Sequence, residues 1–215
     1  MKKIIIFIVV CLLLTGCGNK DLNTNKDLNN LDEIPEEKIY TKVSIMSDYL
    51  IIYPEDLYTN AKLVVIGKYI EKGNSYIGPS GTAKTIHMFN VEKVLKGDCS
   101  KEKIGVGIDG GIVTLKEYIN SLSPEQIKKQ GLKNVDPTDK YVKFELTDET
   151  SNKSKATNAS NIEIGKSYIL FLDYDSYNKT DYIATSNYYS VLELNDSKIY
   201  DEKTQNYISI DNLNK

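Results

Sequence analysis

The chain has 215 residues, a length that fits one domain of ordinary size together with a tail. Hydrophobic residues make up 40% of it and charged residues 27%, which excludes collagen-like and fully disordered proteins. The formal net charge is −3, and every basic side chain is a lysine, because the sequence contains no arginine. Such a chain lacks the basic footprint that binding to a phosphate backbone requires, so we expect no nucleic-acid partner.

The N-terminus has the three-part layout of a secretory signal. Residues 1–3 carry positive charge, and residues 4–14 form an unbroken apolar run that is shorter than the ~20 residues of a membrane-spanning helix. The run ends in Leu14-Thr15-Gly16-Cys17, which resembles the lipobox of bacterial lipoproteins. The resemblance implies cleavage of a signal peptide at residues 1–16 and a diacylglyceryl group on the Cys17 thiol. Ordinary secretion with cleavage nearby, or an uncleaved anchor, is the alternative.

An acylated Cys17 implies a lipid-anchored protein on the extracytoplasmic face of the cell membrane, with membrane lipid as its first partner. Two acyl chains hold a protein stably on a bilayer, since each buried methylene contributes about 0.8 kcal/mol. Residues 17–38 are polar and contain a doubled hexamer, Asn19 to Thr24 followed by Asn25 to Asn30. Segments of this composition bury too little apolar surface to order themselves, which predicts a flexible tether.

The cysteines predict no internal disulfide in the exported chain. Cys11 leaves with the signal and Cys17 is expected to be acylated, so Cys99 remains alone. A lone thiol can act as a nucleophile when a histidine serves as its base, and His87 is the single histidine of the sequence. The other interpretation, which we favour, is a passive cysteine in a loop.

The pattern of residues 61–109 predicts β-strands. Leu63 to Ile70 is rich in β-branched and aromatic residues, and the following cluster from Gly73 to Gly81 is typical of a hairpin loop. Thr85 to Leu95 predicts a long strand whose alternation breaks near its end, as at a β-bulge. Ile104 to Ile108 alternates apolar residues with glycines, which indicates a tight bend or a close approach of another group to the backbone.

Two short helices are predicted next. Thr114 to Glu117 and Ser123 to Gln126 both match the capping box, and the second also has proline at the first helical position. Gly131 lies where the second helix would end. These signals predict helices at residues 115–121 and 124–130.

Strands are predicted again in the C-terminal third. Ser167 to Leu172 is the most apolar run after the signal, and we expect a central strand buried on both faces. Residues 147–160 are polar and loop-like, whereas the spacing of residues 39–58 is too irregular to distinguish helix from strand. The other predicted strands are Tyr141 to Leu146, Tyr182 to Ala184, Tyr188 to Leu194 and Lys198 to Tyr200.

The order of these elements resembles an OB-like barrel. The resemblance is carried by the strand at Leu63 to Lys68, the long strand that ends in Val91 to Gly97, the glycine-containing strand, and Gly165 to Leu172. The pattern is similar to the barrel of tissue inhibitors of metalloproteinases and netrin modules, and to surface lipoproteins of Gram-positive bacteria. These are fold signatures, and a shared fold does not by itself imply a shared function.

The resemblance implies a mainly β fold with an OB-like barrel of the inhibitor and netrin type. One exported domain would cover residues 39–215, with its barrel core at about 60–195 and a short two-helix insertion at about 114–131. The inhibitory chemistry does not carry over, because those inhibitors are disulfide-rich and place a free N-terminal cysteine on the zinc ion of their target. Here Cys17 would be acylated and held at the membrane.

Three short motifs of catalytic or cofactor sites occur, each with a structural interpretation beside it. Gly105 to Gly110 fits G-x-G-x-x-G without the βαβ context of a dinucleotide site, so glycines in a bent strand explain it better. Gly78 to Thr82 has the serine of a nucleophile elbow but not its last glycine, which favours a loop. Asp173 and Asp175 would share a strand face, as a carboxylate pair or calcium ligands would, although a solvated strand end is favoured. We therefore expect no catalytic set, no cofactor and no metal site.

Tyrosine is abundant, with 16 residues in the chain. Tyrosine gives amphipathic contact area at low entropic cost, so a group of exposed rings suits a peptide or a glycan. The interpretation that we favour is that tyrosine is simply a good strand residue, enriched by a compositionally biased genome. The candidate binding residues are Tyr174, Tyr177, Tyr182, Tyr188 and Tyr189.

A non-enzymatic binding module of the cell envelope is the function that these observations favour. Its partner would be an envelope protein, a peptide or a glycan. An envelope hydrolase that uses Asp173, Asp175 or His87 is one alternative. A passive structural or sporulation-associated surface protein is another.

Overall fold

The computed structural model describes residues 34–46, 53–147, 162–177, 179–185, 190–201 and 204–213. This part of the chain is mainly β, as predicted, with three α-helices. The strands are β1 (Ile39–Met46), β2 (Leu63–Ile77), β3 (Ala83–Lys96), β4 (Lys103–Asp109), β5 (Gly111–Thr114), β6 (Tyr141–Thr147), β7 (Ser167–Tyr174), β8 (Tyr182–Ala184), β9 (Val191–Glu193), β10 (Lys198–Asp201) and β11 (Asn206–Ser209). The helices are α1 (Pro54–Asn60), α2 (Leu115–Ser121) and α3 (Pro124–Lys129), and 3₁₀ turns lie at Glu36–Lys38, Leu132–Asn134 and Ile210–Asn212.

Six strands form the largest sheet, in the order β2-β3-β4-β8-β7-β9, and β2 pairs with β7 as well as with β3. Within it β4 and β8 run parallel, and the other paired strands run antiparallel. A second sheet has the order β1-β6-β5, with β1 parallel to β6. β10 and β11 form a separate antiparallel hairpin.

β7 and the first half of β2 are buried on both faces. Because side chains alternate along a strand, Leu63 of β2 and Leu170 of β7 belong to one hydrophobic cluster. Their neighbours Val64 and Phe171 belong to another cluster on the opposite face. The prediction that Ser167 to Leu172 is buried on both faces is confirmed.

Helices and the C-terminal hairpin complete these clusters. The second cluster contains Leu57 of α1 and Ile199 of β10, so α1 and the hairpin cover the outer face of β2 and β7. A third cluster joins the smaller sheet to α2 through Phe144 and Leu115. Complete burial of a leucine such as Leu57 or Leu115 stabilises the fold by about 1.5–3 kcal/mol.

β2 is longer than predicted, and the prediction that a hairpin loop begins at Gly73 is wrong. The strand continues through Gly73 to Ile77 and stays paired with β3, across several irregularities of register. Glycine is useful here because Ile86 of β3 packs closely over it: a Cβ at this position would lie 3.3 Å from the Ile86 Cβ. The loop between the two strands is confined to residues 78–82.

The long strand β3 alternates as its sequence suggests. Thr85, His87 and Phe89 are buried, whereas the residues between them are only partly buried. The predicted bulge is confirmed by a register shift near the end of β3, where Val94 and Lys96 face the adjacent residues Val65 and Val64 of β2.

Both predicted helices are confirmed, together with the contacts that begin them. The Thr114 hydroxyl accepts a hydrogen bond from the Glu117 N–H at 3.1 Å, and the Glu117 carboxylate accepts one from the Thr114 N–H at 3.0 Å. Ser123 and Gln126 make the same reciprocal pair at the start of α3. Gly131 follows α3 in the left-handed conformation, with φ 70°.

The segment whose pattern was ambiguous, residues 39–58, contains both β1 and the first part of α1. In the predicted strand at Tyr188 to Leu194, the described strand residues are Val191–Glu193. The predicted signal, the tether up to residue 33 and the predicted loop beyond Thr147 lie outside the described residues. The prediction that the flexible tether extends to residue 38 is wrong, because Glu36–Lys38 forms a 3₁₀ turn and Glu36 forms an ion pair with Lys42 of β1.

Candidate functional site

Tyr174 and Tyr182 are cross-strand partners at the end of the β7–β8 ladder. Their ring centroids lie 5.8 Å apart, at an interplanar angle of 34°. Tyr182 is buried in the first hydrophobic cluster, whereas Tyr174 is 62% exposed. The structure therefore brings these two candidate residues together. Of the two rings, that of Tyr174 is accessible to a partner, and that of Tyr182 is buried and packs against Tyr174.

The loop after β7, residues 175–177 and 179–181, is organised by one buried carboxylate; we call it the Asp175 loop. Asp175 Oδ1 accepts a hydrogen bond from the Tyr177 N–H at 2.9 Å. Asp175 Oδ2 accepts bonds from the Lys179 N–H at 2.9 Å, the Thr180 N–H at 2.8 Å and the Thr180 hydroxyl at 3.0 Å. Asp175 is thus an internal anchor, and the expectation that it is a solvated strand end is wrong.

The charge of Asp175 is stabilised by these contacts. Burial is the largest single influence and by itself raises the pKa of the carboxyl group. The hydrogen bonds from Tyr177, Thr180 and Lys179 together outweigh burial and lower the pKa below its ordinary value. Asp175 is consequently ionised at neutral pH and holds its loop as a charged acceptor.

Tyr177 lies on this anchored loop and is 56% exposed. Tyr174, three positions earlier, is exposed as well, and we call these two residues the tyrosine edge (Tyr174 and Tyr177). The other candidate residues, Tyr188 and Tyr189, and the lipidation candidate Cys17 lie outside the described residues.

Cys99 lies next to the buried ring of Tyr182. It is half-buried, and its Sγ–H donates to the Lys101 carbonyl oxygen at 3.6 Å. Burial, and then the neighbouring Cys99, raise the pKa of Tyr182 to about 12. Lys101 forms an ion pair with Asp181, whose second carboxylate oxygen accepts the Gly105 N–H at 2.9 Å. These contacts fix the end of the Asp175 loop to β4.

Side chains of neighbouring elements pack directly against the glycines of β4. A Cβ at Gly107 would lie 2.7 Å from the Tyr76 hydroxyl and 3.4 Å from the Thr180 hydroxyl, and a Cβ at Gly105 would lie 3.3 Å from the Met88 sulfur. The expected close approach is therefore confirmed, and the approaching groups belong to the protein. Gly110 is followed by β5, so the motif lacks the strand-to-helix turn on which dinucleotide binding depends.

Tyr76 of β2 contacts the Asp175 loop at this end of the sheet. It lies near the end of β2, and its hydroxyl reaches over Gly107 to the Asp175 loop. Burial raises the pKa of Tyr76, the Thr180 hydroxyl opposes that rise, and the charges of Asp175 and Asp109 add to it. Neither Tyr76 nor the anchoring role of Asp175 was identified from the sequence.

The residues considered for catalysis do not form an open catalytic site. His87 is buried in the interior, with its Nδ1 3.2 Å from the Tyr69 hydroxyl. Both oxygens of Asp175 are occupied by the loop, and Asp173 lies on the face of β7 opposite Tyr174. Ser80 lies in the β2–β3 turn, with its hydroxyl 2.7 Å from that of Thr82, as the loop interpretation predicts.

The chain matches no protein-family model, no curated protein and no solved structure. Within the described ranges, no helix is long and apolar enough to cross a membrane. The same residues contain no group of three or more histidine, cysteine, aspartate or glutamate side chains that could hold a metal ion. Among the described residues, the tyrosine edge and the Asp175 loop that carries Tyr177 are the arrangement that we consider further as a candidate site.

Proposed function

We propose that the protein is a membrane-anchored lipoprotein whose exported domain is a non-enzymatic binding module of the cell envelope. The anchor is an acyl group on Cys17, and the partner is an envelope protein, a peptide or a glycan held at the tyrosine edge. The observation that carries the proposal is that two exposed tyrosines, Tyr174 at the end of β7 and Tyr177 on the loop that follows, lie on either side of Asp175, whose buried carboxylate holds that loop in place.

Exposed tyrosines in a fixed position favour binding for a physical reason. Tyrosine is enriched at protein interfaces because its ring gives a large contact area while its hydroxyl stays hydrated or finds a hydrogen bond. Ordering a free side chain on binding costs about 0.5–1.5 kcal/mol. The ring contact between Tyr174 and Tyr182 lowers that cost for Tyr174. The four hydrogen bonds to Asp175 lower the separate cost of ordering the loop that carries Tyr177.

An OB-like barrel is part of the same proposal. Its support is that β2 pairs with both β3 and β7, so that the ladder β2-β3-β4-β8-β7 leads back to β2. Five strands is the number in an OB-fold, whose ligands bind at the loops between strands 1 and 2 and between strands 4 and 5. With β2 counted first, residues 78–82 and the Asp175 loop occupy those two positions. Tyr76 lies two residues before the first of these loops, and its hydroxyl contacts Thr180 of the second.

The anchor is supported by the first 17 residues. A positive start, a short apolar run and a lipobox-like end together specify export and acylation of Cys17. As a flexible coil, the polar segment between Cys17 and residue 33 would separate the domain from the bilayer by on the order of 20 Å. Such a separation would leave the tyrosine edge accessible to a partner in the envelope.

A capture experiment tests the binding proposal. The full chain in detergent micelles is immobilised through a C-terminal tag and incubated with bacterial envelope extract, and the retained material is identified by mass spectrometry. The test variant is Tyr174→Ser with Tyr177→Ser. The matched control is Tyr207→Ser, which removes another exposed tyrosine, on β11 and outside the Asp175 loop.

We expect a saturable partner that the wild type and Tyr207→Ser retain and that the double variant loses at least tenfold. Retention of the same partner by the double variant would reject the tyrosine edge as its site. A component that is cleaved on contact with the protein would favour the hydrolase alternative. A wild type that retains nothing would reject tight binding to any component of the extract.

A further inference from the structure

Lys84 and Asp109 form a buried ion pair. They are cross-strand partners in the β3–β4 ladder, and the Lys84 Nζ contacts Asp109 Oδ1. Their side chains are 12% and 5% exposed. In every other ion pair between described residues, both side chains are at least 27% exposed. Lys84 and Asp109 therefore face each other with far less competition from water than those pairs do.

The backbone around the pair keeps the two groups in contact. Lys84 is held on both sides, because it also pairs with Tyr76 of β2. Its aliphatic stem lies against Gly78, where a Cβ would be 3.4 Å from the Lys84 Cε. On the other strand, the Gly110 N–H donates to the Ala83 carbonyl at 2.9 Å and so closes the ladder directly after Asp109.

We propose that Lys84 and Asp109 condense to an intramolecular isopeptide bond. One proton first passes from the Lys84 ammonium group to the Asp109 carboxylate within the ion pair, which gives a free amine and a neutral carboxylic acid. The lone pair of the Lys84 Nζ then attacks the carboxyl carbon Cγ of Asp109, so that one C–N bond forms and one C–O bond breaks. Two of the three protons of the ammonium group combine with the released carboxylate oxygen and leave as water. The amide retains the third proton, and the step needs no oxidant, cofactor or activated donor.

Two physical effects favour this condensation at Lys84. Burial of two charges carries a desolvation penalty that their attraction only partly offsets, and a neutral amide removes both charges. Fixed contact also raises the effective concentration of the amine at the carboxyl group. In well-oriented systems this effective concentration reaches about 10⁵ M or more. The product would link positions 25 residues apart and constrain the unfolded chain as a disulfide does.

Tryptic digestion of the denatured full chain tests the proposal by mass spectrometry. Trypsin releases residues 104–116, which contain Asp109, and cuts after Lys84 only when its amine is free. We expect residues 73–93, uncut at Lys84, joined to residues 104–116 with a mass equal to their sum minus one water molecule. Fragmentation should locate the bond at Lys84 and Asp109 in most molecules.

Two variants complete the test. Lys84→Arg keeps a positive charge beside Asp109 but has a guanidinium group, which stays protonated and does not condense, so residues 104–116 should appear unlinked. Lys101→Arg makes the same exchange in the exposed pair with Asp181 and should leave the Lys84–Asp109 bond intact. The proposal is overturned if wild-type residues 104–116 are recovered without a link and residues 73–84 are released, or if the link persists in Lys84→Arg.

Discussion

The backbone N–H and the side-chain hydroxyl of Thr180 both donate to the same carboxylate oxygen of Asp175, at 2.8 and 3.0 Å. The Lys179 N–H shares that oxygen, and the Tyr177 N–H uses the other one. Hydrogen bonds to an ionised acceptor are roughly twice as strong as neutral ones. One side chain therefore determines the conformation of the loop that presents Tyr177.

Replacing this anchor should destabilise the domain. We expect Asp175→Ala to lower the free energy of unfolding by about 2 kcal/mol, because three backbone N–H groups lose their acceptor and must find water instead. Urea denaturation measures the change. The matched control is Asp173→Ala, which removes a half-buried carboxylate just before the loop and should change stability by no more than about 0.5 kcal/mol. Equal effects of the two substitutions would contradict the anchoring role.

The same anchor predicts a dependence on pH. The pKa of Asp175 is lowered in the folded state, whereas an unfolded aspartate titrates near pH 3.9. A depressed carboxyl pKa stabilises the folded state above the unfolded pKa, and that contribution disappears as the pH falls through the folded pKa. The stability difference between the wild type and Asp175→Ala should stay constant from about pH 7 to 5 and shrink below about pH 4. Urea titrations at each pH measure it, and a difference that grows on acidification would be inconsistent with the anchor.

Gly111 should tolerate no side chain, in contrast with Gly81. Both have positive φ, 123° and 76°, but a Cβ at Gly111 would overlap the hydroxyls of Thr85 and Ser75, whereas a Cβ at Gly81 would contact nothing within 4 Å. Gly81→Ala should therefore cost about 1 kcal/mol from backbone strain alone. Gly111→Ala should cost about 4 kcal/mol or more, because overlap in a packed region is added to strain.

Thermal or urea unfolding of the two glycine variants distinguishes these contributions. The substitution is the same and φ is positive at both positions, so the larger part of any difference reports the atoms that surround the new Cβ. If Gly111→Ala lowered the free energy of unfolding no more than Gly81→Ala does, the result would contradict the close packing of β5 against Ser75 and Thr85.

Acylation is expected at Cys17 and not at Cys99. Cells grown with a fatty-acid analogue that carries a clickable group should label the wild type and Cys99→Ser, while Cys17→Ser should lose the label and leave the membrane fraction. The physical reason is that two acyl chains are the proposed source of membrane residence. Label that survives in Cys17→Ser would reject the lipobox interpretation.

Short sequence patterns correctly predicted the elements that depend on contacts between residues close together in the chain. The helices α2 and α3 begin where reciprocal capping pairs stand in the sequence, and both were located to within one residue. The strand at Ser167 to Leu172 was recognisable because burial on both faces requires an uninterrupted apolar run. The hairpin loop was predicted to begin too early, at Gly73. A glycine that a strand needs for the close approach of Ile86 cannot be distinguished in the sequence from a glycine in a turn.

The site depends on contacts that no local pattern contains. Tyr174 and Tyr182 have similar sequence surroundings, and only the packing of the sheet makes one exposed and the other buried. The sequence contains only a weak indication that Asp175 anchors the Asp175 loop: an aspartate that precedes serine and asparagine residues is typical of an Asx turn. The contact between Lys84 and Asp109 joins positions 25 residues apart and follows from strand register alone.

The parallel pairing of β1 with β6 has a consequence for the order of folding. Val43 faces Phe144 in this ladder, so the two strands are separated by about one hundred residues of chain, and contacts of such long range form slowly. Synthesis proceeds from the N-terminus, and β6 is the strand with which β1 pairs among the described residues. A newly made chain therefore presents β1 as an open strand edge until β6 has been made, and during that interval β1 is a site for mispairing between chains.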